Sequence, residues 1–385
     1  MNKFESQRMY YPVLGYNTFL NSAQNGLIPT YAAEAMTQYI MHRHTFALDV
    51  ISMTAMWNDA DDLRIKIARM LNCKSGEVLF GVNSSELFNL FSNGIDLHPG
   101  DNVVTYDCAY FAMTYTWFNK EREGIETRIA HVKNGAVSAE DLMALCDEHT
   151  RALTVCHVDF GSGYRHDLKK LGRFCRERGI WFGVDATQSC GAMNIDVEEM
   201  QIDFLTTSTY KWLQCLLGLG FAYISSRLLP QLKQSVIGWV GTVDKLHNDP
   251  MVLELTQDAR RFECGGLSFC AMEGLKKTVD AYLRLGKQDV EDYILTLTGY
   301  AYHRAAGLKE CRVLGDFPPE HRSGIVTIMY PERFGINREF LQSRNINAMP
   351  QGNGRCRLSL HYYNNSDDID VFFDLLEELE SRKQG

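Results

Sequence analysis

An open, mostly parallel α/β sheet followed by a smaller α+β domain is the fold class that this 385-residue sequence predicts. Three observations carry that expectation. From about residue 60 to 230, short β-rich runs alternate with amphipathic helices, which is the order of a doubly wound sheet. The runs are dense in Val, Ile, Leu and Phe, as strands covered on both faces are. After about residue 250 the alternation stops, and a long helical stretch leads into short strands and a closing helix.

Strands are expected at 77–82, 102–106, 152–158, 180–184, 204–207 and 221–224. Between them, Ser138 can cap a helix reaching Cys146, with Leu142, Leu145 and Cys146 on one face. Asp167 can cap the next helix, where Leu168, Leu171 and Phe174 recur before Gly179 ends it. Beyond these come a helical stretch at 267–305 and strands at 325–329 and 356–360. A last helix starts near Ser366, with Ile369, Phe372, Phe373, Leu376 and Leu379 as its apolar stripe. No repeat or Pro/Gly/Ser-rich linker interrupts the chain. The expected division is a large domain at 31–249 and a small one formed by 250–385 with the N-terminal segment 1–30.

Composition narrows the function. The chain is 45 % apolar with a formal net charge of −9, and it has no dense Lys/Arg block. General nucleic-acid or anionic-membrane binding is therefore not expected. No signal-peptide pattern opens the sequence, and no run of about eighteen apolar residues occurs in it. Eleven cysteines, spread from Cys73 to Cys356 without a C-x-x-C pair, fit neither a disulfide framework nor a zinc ribbon. Buried thiols in a reducing cytoplasm are the expectation.

Common motifs fail in turn. Gly218-Leu219-Gly220 has Tyr223 where a dinucleotide loop needs its third Gly, and a strand follows instead of a helix. Lys74-Ser75 lacks the glycines of a P-loop, and Asp159-Phe160-Gly161 lacks the rest of a kinase signature. No G-x-S-x-G elbow is present, and His42 and His44 have no partner at metal-ligand spacing, so no metal site is expected.

One constellation survives. Gly81-Val82-Asn83-Ser84-Ser85-Glu86 runs from a strand end into a helix start, where hydroxyls and free N–H groups form an anion site. Asp185 stands at the C-terminal end of an apolar strand, where α/β folds bind ligands. Lys211, after Ser208-Thr209-Tyr210, is an amine at another apolar strand end. A lysine for a Schiff base, an acid for a pyridine nitrogen and a phosphate pocket are the parts of a pyridoxal-phosphate site. The same residues also fit a structural Asp185–Lys211 ion pair beside a capped helix.

The stretch from His157 to Ser225 resembles the class V aminotransferases, the fold-type I pyridoxal-phosphate group that includes the cysteine desulfurases. The matching segments are Val184-Asp-Ala-Thr-Gln-Ser-Cys-Gly-Ala192, Asp203-Phe-Leu and Ser208-Thr-Tyr-Lys-Trp212. Phe19-Leu-Asn-Ser-Ala-Gln-Asn-Gly26 and Arg357-Leu-Ser-Leu-His-Tyr-Tyr-Asn364 extend the likeness over nearly the whole chain. The resemblance implies that Lys211 forms the Schiff base and that Asp185 keeps the pyridine nitrogen protonated. Gln188 would bond the ring's phenolic oxygen, while Ser84, Ser85, Ser208 and Tyr210 line the phosphate. Tyr110 falls where the family stacks an aromatic on the ring, the alternative being a core tyrosine in an apolar loop. His157 is expected to make a structural hydrogen bond. Arg357 matches the arginine for the substrate α-carboxylate, with Arg355 as competitor; strand phase, placing Arg357, Ser359 and His361 together, favours Arg357. Asn25 and Trp239 are further pocket candidates.

Two departures shape the expected chemistry. Gly266 stands where the family usually has a Thr that reaches the partner subunit's phosphate, although a symmetric homodimer remains the expected state. Desulfurases carry a nucleophilic cysteine in the loop before the carboxylate arginine, and 331–355 contains none. Cys356 reads as a buried structural thiol. The leading expectation is therefore a cytoplasmic aminotransferase acting on an amino-acid substrate. A β-lyase for a sulfur-containing amino acid comes second. Cysteine desulfurase, an epimerase and a non-catalytic protein retaining the fold follow.

Overall fold

The computed structural model describes residues 3–246, 249 and 251–382. Seven strands form the larger sheet: β1 (Val78–Gly81), β2 (Asn102–Tyr106), β3 (Glu126–Ala130), β4 (Thr150–Cys156), β5 (Trp181–Asp185), β6 (Phe204–Ser208) and β7 (Gly220–Ile224). Their order is β1-β7-β6-β5-β4-β2-β3. β2 to β6 run parallel, and β7 is antiparallel to both β1 and β6. This is the mostly parallel, doubly wound sheet that the buried apolar runs predict. Helix Ser84–Gly94 covers one face, with Phe91 stacked on Phe204 at 5.1 Å.

The caps behave as expected. The Ser138 hydroxyl accepts from Asp141 N at 3.0 Å, and Asp167 accepts from Lys170 N at 3.0 Å. Gly179 ends its helix in the left-handed region at φ 69°. Strand β4 begins two residues earlier than the sequence suggests, because Thr150 pairs with Asn102.

The smaller sheet holds β8 (Arg312–Val313), β9 (Ile325–Met329), β10 (Met349–Gly352) and β11 (Arg355–Ser359), in the antiparallel order β10-β11-β9-β8. Alternation along its strands gives it two unlike faces. Val326, Ile328, Cys356 and Leu358 pack with Leu297, Ala301, Ile369 and Phe372 of the helices Lys287–Ala306 and Ser366–Ser381. Thr327 and Ser359, on the opposite face, donate to the carbonyls of Gly161 (2.6 Å) and Leu20 (3.2 Å). That polar face therefore meets the loops at the C-terminal end of the larger sheet.

The helical stretch at 267–305 is two helices, Phe269–Leu285 and Lys287–Ala306, broken at Gly286 with φ 89°. The first packs on two N-terminal helices: on Thr30–Thr45, where Cys270 Sγ reaches the Met36 carbonyl at 3.8 Å, and on Val50–Leu71, through the Trp57–Phe269 edge contact and the Lys276–Asp59 ion pair. The larger core accordingly runs on to Ile294, and the smaller core takes over at Leu297.

The N-terminal segment is tied directly to the Lys211 turn. Gly26 N donates to the Tyr210 carbonyl at 2.9 Å, and a Cβ at Gly26 would lie 1.9 Å from the Lys211 carbonyl oxygen. Both atoms in that clash belong to or sit on backbone, so no rotamer change relieves it. Gly26→Ala is expected to destabilise the protein by about 2 kcal/mol or more, read as a lower urea midpoint. An unchanged midpoint would contradict this close approach.

Candidate active site

Asp185 is the last residue of β5 and Ser208 the last of β6, so parallel neighbours deliver them to the same end of the sheet. The chain then turns through Thr209 and Tyr210 to Lys211. From the other side comes the N-terminus of helix Ser84–Gly94, where the Asn83 side chain caps by accepting from Glu86 N at 2.8 Å. A hydrogen-bonded chain joins these pieces. Ser208 Oγ accepts from Ser84 N at 2.9 Å and donates to Ser84 Oγ at 3.1 Å. Ser208 N donates to Thr187 Oγ1 at 3.2 Å, and Thr187 N donates to an Asp185 carboxylate oxygen at 2.8 Å.

These groups line a cavity of about 230 Å³ together with Ser85, Tyr110, Gln188, Tyr210 and Lys211. Lys211 and Asp185 are only 7 % and 6 % exposed. Burial pushes the Asp185 carboxyl upward, against the Thr187 hydrogen bonds and the Lys211 charge that favour its ionised form. Burial lowers the Lys211 amine to about 8, although Asp185 pulls it upward and Arg357 adds to the fall. Among the described residues, no hydrogen bond or ion pair reaches the Lys211 ammonium. Its neighbours are the rings of Tyr110 and Tyr210, with centroids at 5.5 and 5.6 Å. The structural ion pair between Lys211 and Asp185 is therefore not what the fold builds. The two groups face one cavity without touching.

Gln188 is fixed by donating to the Ala23 carbonyl (3.0 Å) and accepting from Trp212 Nε1 (2.8 Å). Tyr110 stands edge-on to Phe160 at 5.8 Å on the cavity wall. Arg357 lies outside this lining but close enough to act on Lys211 electrostatically. Its Nη1 donates to the Phe160 carbonyl at 2.7 Å, whereas its buried Nε has no partner among the described residues. Burial lowers this guanidinium to about 10. An orphaned buried donor calls for an anion from outside the chain. Arg355 shares the strand face of Arg357, so strand phase does not separate the two; burial does, because Arg355 is exposed and lines the neighbouring cleft.

Other candidates fall elsewhere. Asn25 lines a separate cavity beside Gln24, Arg338 and Gln342, so the fold does not bring it to Lys211. Trp239 is half exposed and meets Trp57 at 6.1 Å. Gly266 lines a further cavity with Val82 and Gly218. His157 N donates to the Asp185 carbonyl at 2.9 Å, and burial lowers its ring to about 3, keeping it neutral. Cys356 is fully buried in the smaller core. Sequence reasoning passed over Thr187, Asn83 and Cys156. Thr187 lies inside the Asp-Ala-Thr-Gln segment and Asn83 at the helix cap, so both had a local signal; Cys156 reaches the cavity only because it pairs with Asp185 across β4 and β5.

A sheet-end acid, a buried amine and a hydroxyl-lined helix start are the features of an α/β cofactor enzyme. A sequence model of the family described as Aminotransferase class-V matches residues 18–372, and the chain belongs to that family. It is 27 % identical, over 97 % of its length and 98 % of the relative's, to a probable cysteine desulfurase of Methanothermobacter thermautotrophicus. It is 28 % identical to an uncharacterized aminotransferase of Schizosaccharomyces pombe, over 82 % of this chain and 80 % of that one. Among solved structures, the cystine C–S lyase C-DES, in complex with its product cysteine persulfide, superposes with a TM-score of 0.86. That likeness covers 95 % of this chain and 98 % of the other at 20 % identity. The apo cysteine desulfurase of Thermococcus onnurineus gives 0.87 at 23 % identity, over 97 % of each chain. The fold is thus fold-type I.

The Lys211 environment has a direct chemical signature. Competitive labelling with acetic anhydride, read by mass spectrometry, should modify Lys211 increasingly as pH rises, half-maximally near pH 8. A midpoint of 10 or above would show that the amine is not desolvated.

Proposed function

We propose that this chain is a pyridoxal-phosphate enzyme acting at the α-carbon of an amino acid, and specifically a lyase that releases a sulfur-containing β-substituent. The observation that carries the reading is the buried Lys211 amine and Asp185 carboxylate facing one cavity without an ion pair, beside the hydroxyl-lined start of helix Ser84–Gly94. These residues fit the coenzyme. Ser84, Ser85, Ser208, Tyr210 and the helix N-terminus would take its phosphate. Asp185 would hold a proton on the pyridine nitrogen, and Gln188 would meet the phenolic oxygen. Tyr110 would cover a ring face, and Lys211 would be the covalent anchor. When bound, the coenzyme supplies an electron sink for negative charge at the substrate α-carbon.

The chain's own groups do the rest. Arg357 presents a guanidinium fork to the α-carboxylate, which fixes the substrate's orientation. An amine near pH 8 is a competent general base, so the freed Lys211 takes the α-proton. Phe160 and Tyr110 wall the site.

Loss of a thiolate from the β-carbon needs no protein nucleophile, which agrees with the cysteine pattern. The loop 331–355 has none. Cys156 lines the cavity, but burial pushes its thiol far up. Burial and the Asp159 and Asp107 charges raise Cys108 to about 11. Neither is a thiolate at neutral pH. The C–S lyase and desulfurase names among the relatives favour sulfur chemistry over the aminotransferase expectation. Transamination remains the second reading, supported by the name of the Schizosaccharomyces pombe relative and by the same residues. A second copy of the chain completes the proposed enzyme, in keeping with the exposed Ile40, Met41, Phe46 and Ile51.

Coenzyme-loaded protein incubated with an amino-acid panel tests the function. Pyruvate with ammonia and a thiol or sulfide is the expected product set. A keto acid matching the substrate, with the amino form of the coenzyme, would replace the lyase reading by transamination. Arg357→Ala should raise KM for every α-amino acid substrate by about ten- to a hundredfold; an unchanged KM would contradict the carboxylate site.

A further inference from the structure

Arg357 is not the only arginine on its face of the smaller sheet. Arg355 is two residues away on β11, and residues i and i+2 of a strand share a face. Register extends the row: Met329 on β9 lies opposite Arg355 on one side and opposite Arg312 on the other. Arg312, Met329 and Arg355 therefore stand side by side on the polar face, with Arg357 behind them toward Lys211. A two-residue step along a strand is about 7 Å, and two inter-strand steps are about 10 Å.

Arg312 and Arg355 are exposed and line a cleft of about 890 Å³ that shares Phe160 with the Lys211 cavity. Neither guanidinium has an ion-pair partner among the described residues. Three acids share the cleft with these arginines, and none of them forms an ion pair with Arg312 or Arg355. Asp107 bonds His131 Nδ1 (3.1 Å) and Val132 N (3.0 Å). One oxygen of Asp159 takes Gly161 N, Ser162 N and Ser162 Oγ, while its buried Oδ2 has no hydrogen-bond partner among the described residues and acts on Arg357 electrostatically. Asp316 is almost fully exposed and lies 3.9 Å from Arg322. Two guanidinium groups without an ion-pair partner among the described residues thus face the cleft next to the α-carboxylate site.

We propose that this cleft receives the substrate side chain, and that Arg355 and Arg312 bind an anionic group at its far end. The proposal rests on the amino-acid reading of the site. The substrate class it names is an α-amino acid whose side chain ends in a carboxylate or comparable anion. Chain extends on the order of 1.2 Å per bond, so about 7 Å corresponds to about six bonds between the two acid carbons. Cysteine S-conjugates that end in an acid reach this span.

S-(2-carboxyethyl)-cysteine and its neutral isostere S-(2-carbamoylethyl)-cysteine differ only in that terminal charge. Each is titrated into the coenzyme-loaded enzyme, with binding read from the coenzyme's visible absorption and by calorimetry. The acid should bind about tenfold or more tightly than the amide. In Arg355→Ala, and more fully in the double variant with Arg312→Ala, the ratio should fall toward one while the amide's affinity holds. Both positions are exposed, so folding is not at stake. Equal binding of the two compounds to the native enzyme, or a ratio indifferent to both substitutions, would overturn the proposal. Failure of either compound to perturb the absorption, with cysteine and other neutral amino acids also silent, would overturn the amino-acid reading and this proposal with it.

Discussion

Asp185 and Lys211 place an acid and an amine inside the protein without a hydrogen bond between them, and the surrounding structure is organised around keeping them there. Isolated charges in a protein interior are costly, and the usual relief is direct pairing. Here the relief is partial and indirect. Thr187 donates to the carboxylate, Ser208 is held by Thr187, and Ser84 by Ser208, so the acid is anchored through a chain that ends at a helix N-terminus. The lysine is held through its backbone turn and flanked by aromatic rings, and its burial brings the amine down to about 8.

The two sheets divide the labour. Parallel strands β5 and β6 bring the acid and the lysine turn to one edge, as ligand sites at the carboxyl ends of such strands do. The smaller sheet contributes nothing to that edge except its polar face, and this face is where the arginines stand. Its opposite face is wholly apolar and locked to two helices. The packing behind it therefore fixes the strand positions from which Arg357, Arg355 and Arg312 project.

Much of this was legible in the sequence, for physical reasons that differ by element. The central strands could be read because a strand covered on both faces must be a run of large apolar residues, as in Phe204-Leu205 and Phe221-Ala222. Ser138 and Asp167 could be read as caps because capping is local. The break at Gly286 was missed, since helical periodicity continues on both sides of it. The helices Thr30–Thr45 and Val50–Leu71 were missed because exposed Ile40, Met41 and Ile51 blur their apolar stripes. Among site residues, Asp185, Lys211 and Ser208 sit at strand ends and declared themselves. Asn25 did not follow, because its segment meets the Lys211 turn through Gly26 and turns the asparagine to a different cavity.

The central claim is that Lys211 is the residue that anchors the coenzyme. Protein saturated with pyridoxal phosphate, reduced with borohydride, digested and mapped by mass spectrometry tests it most directly. The account predicts a single phosphopyridoxyl adduct on the peptide containing Lys211. An adduct on any other lysine, or none on Lys211, would contradict it.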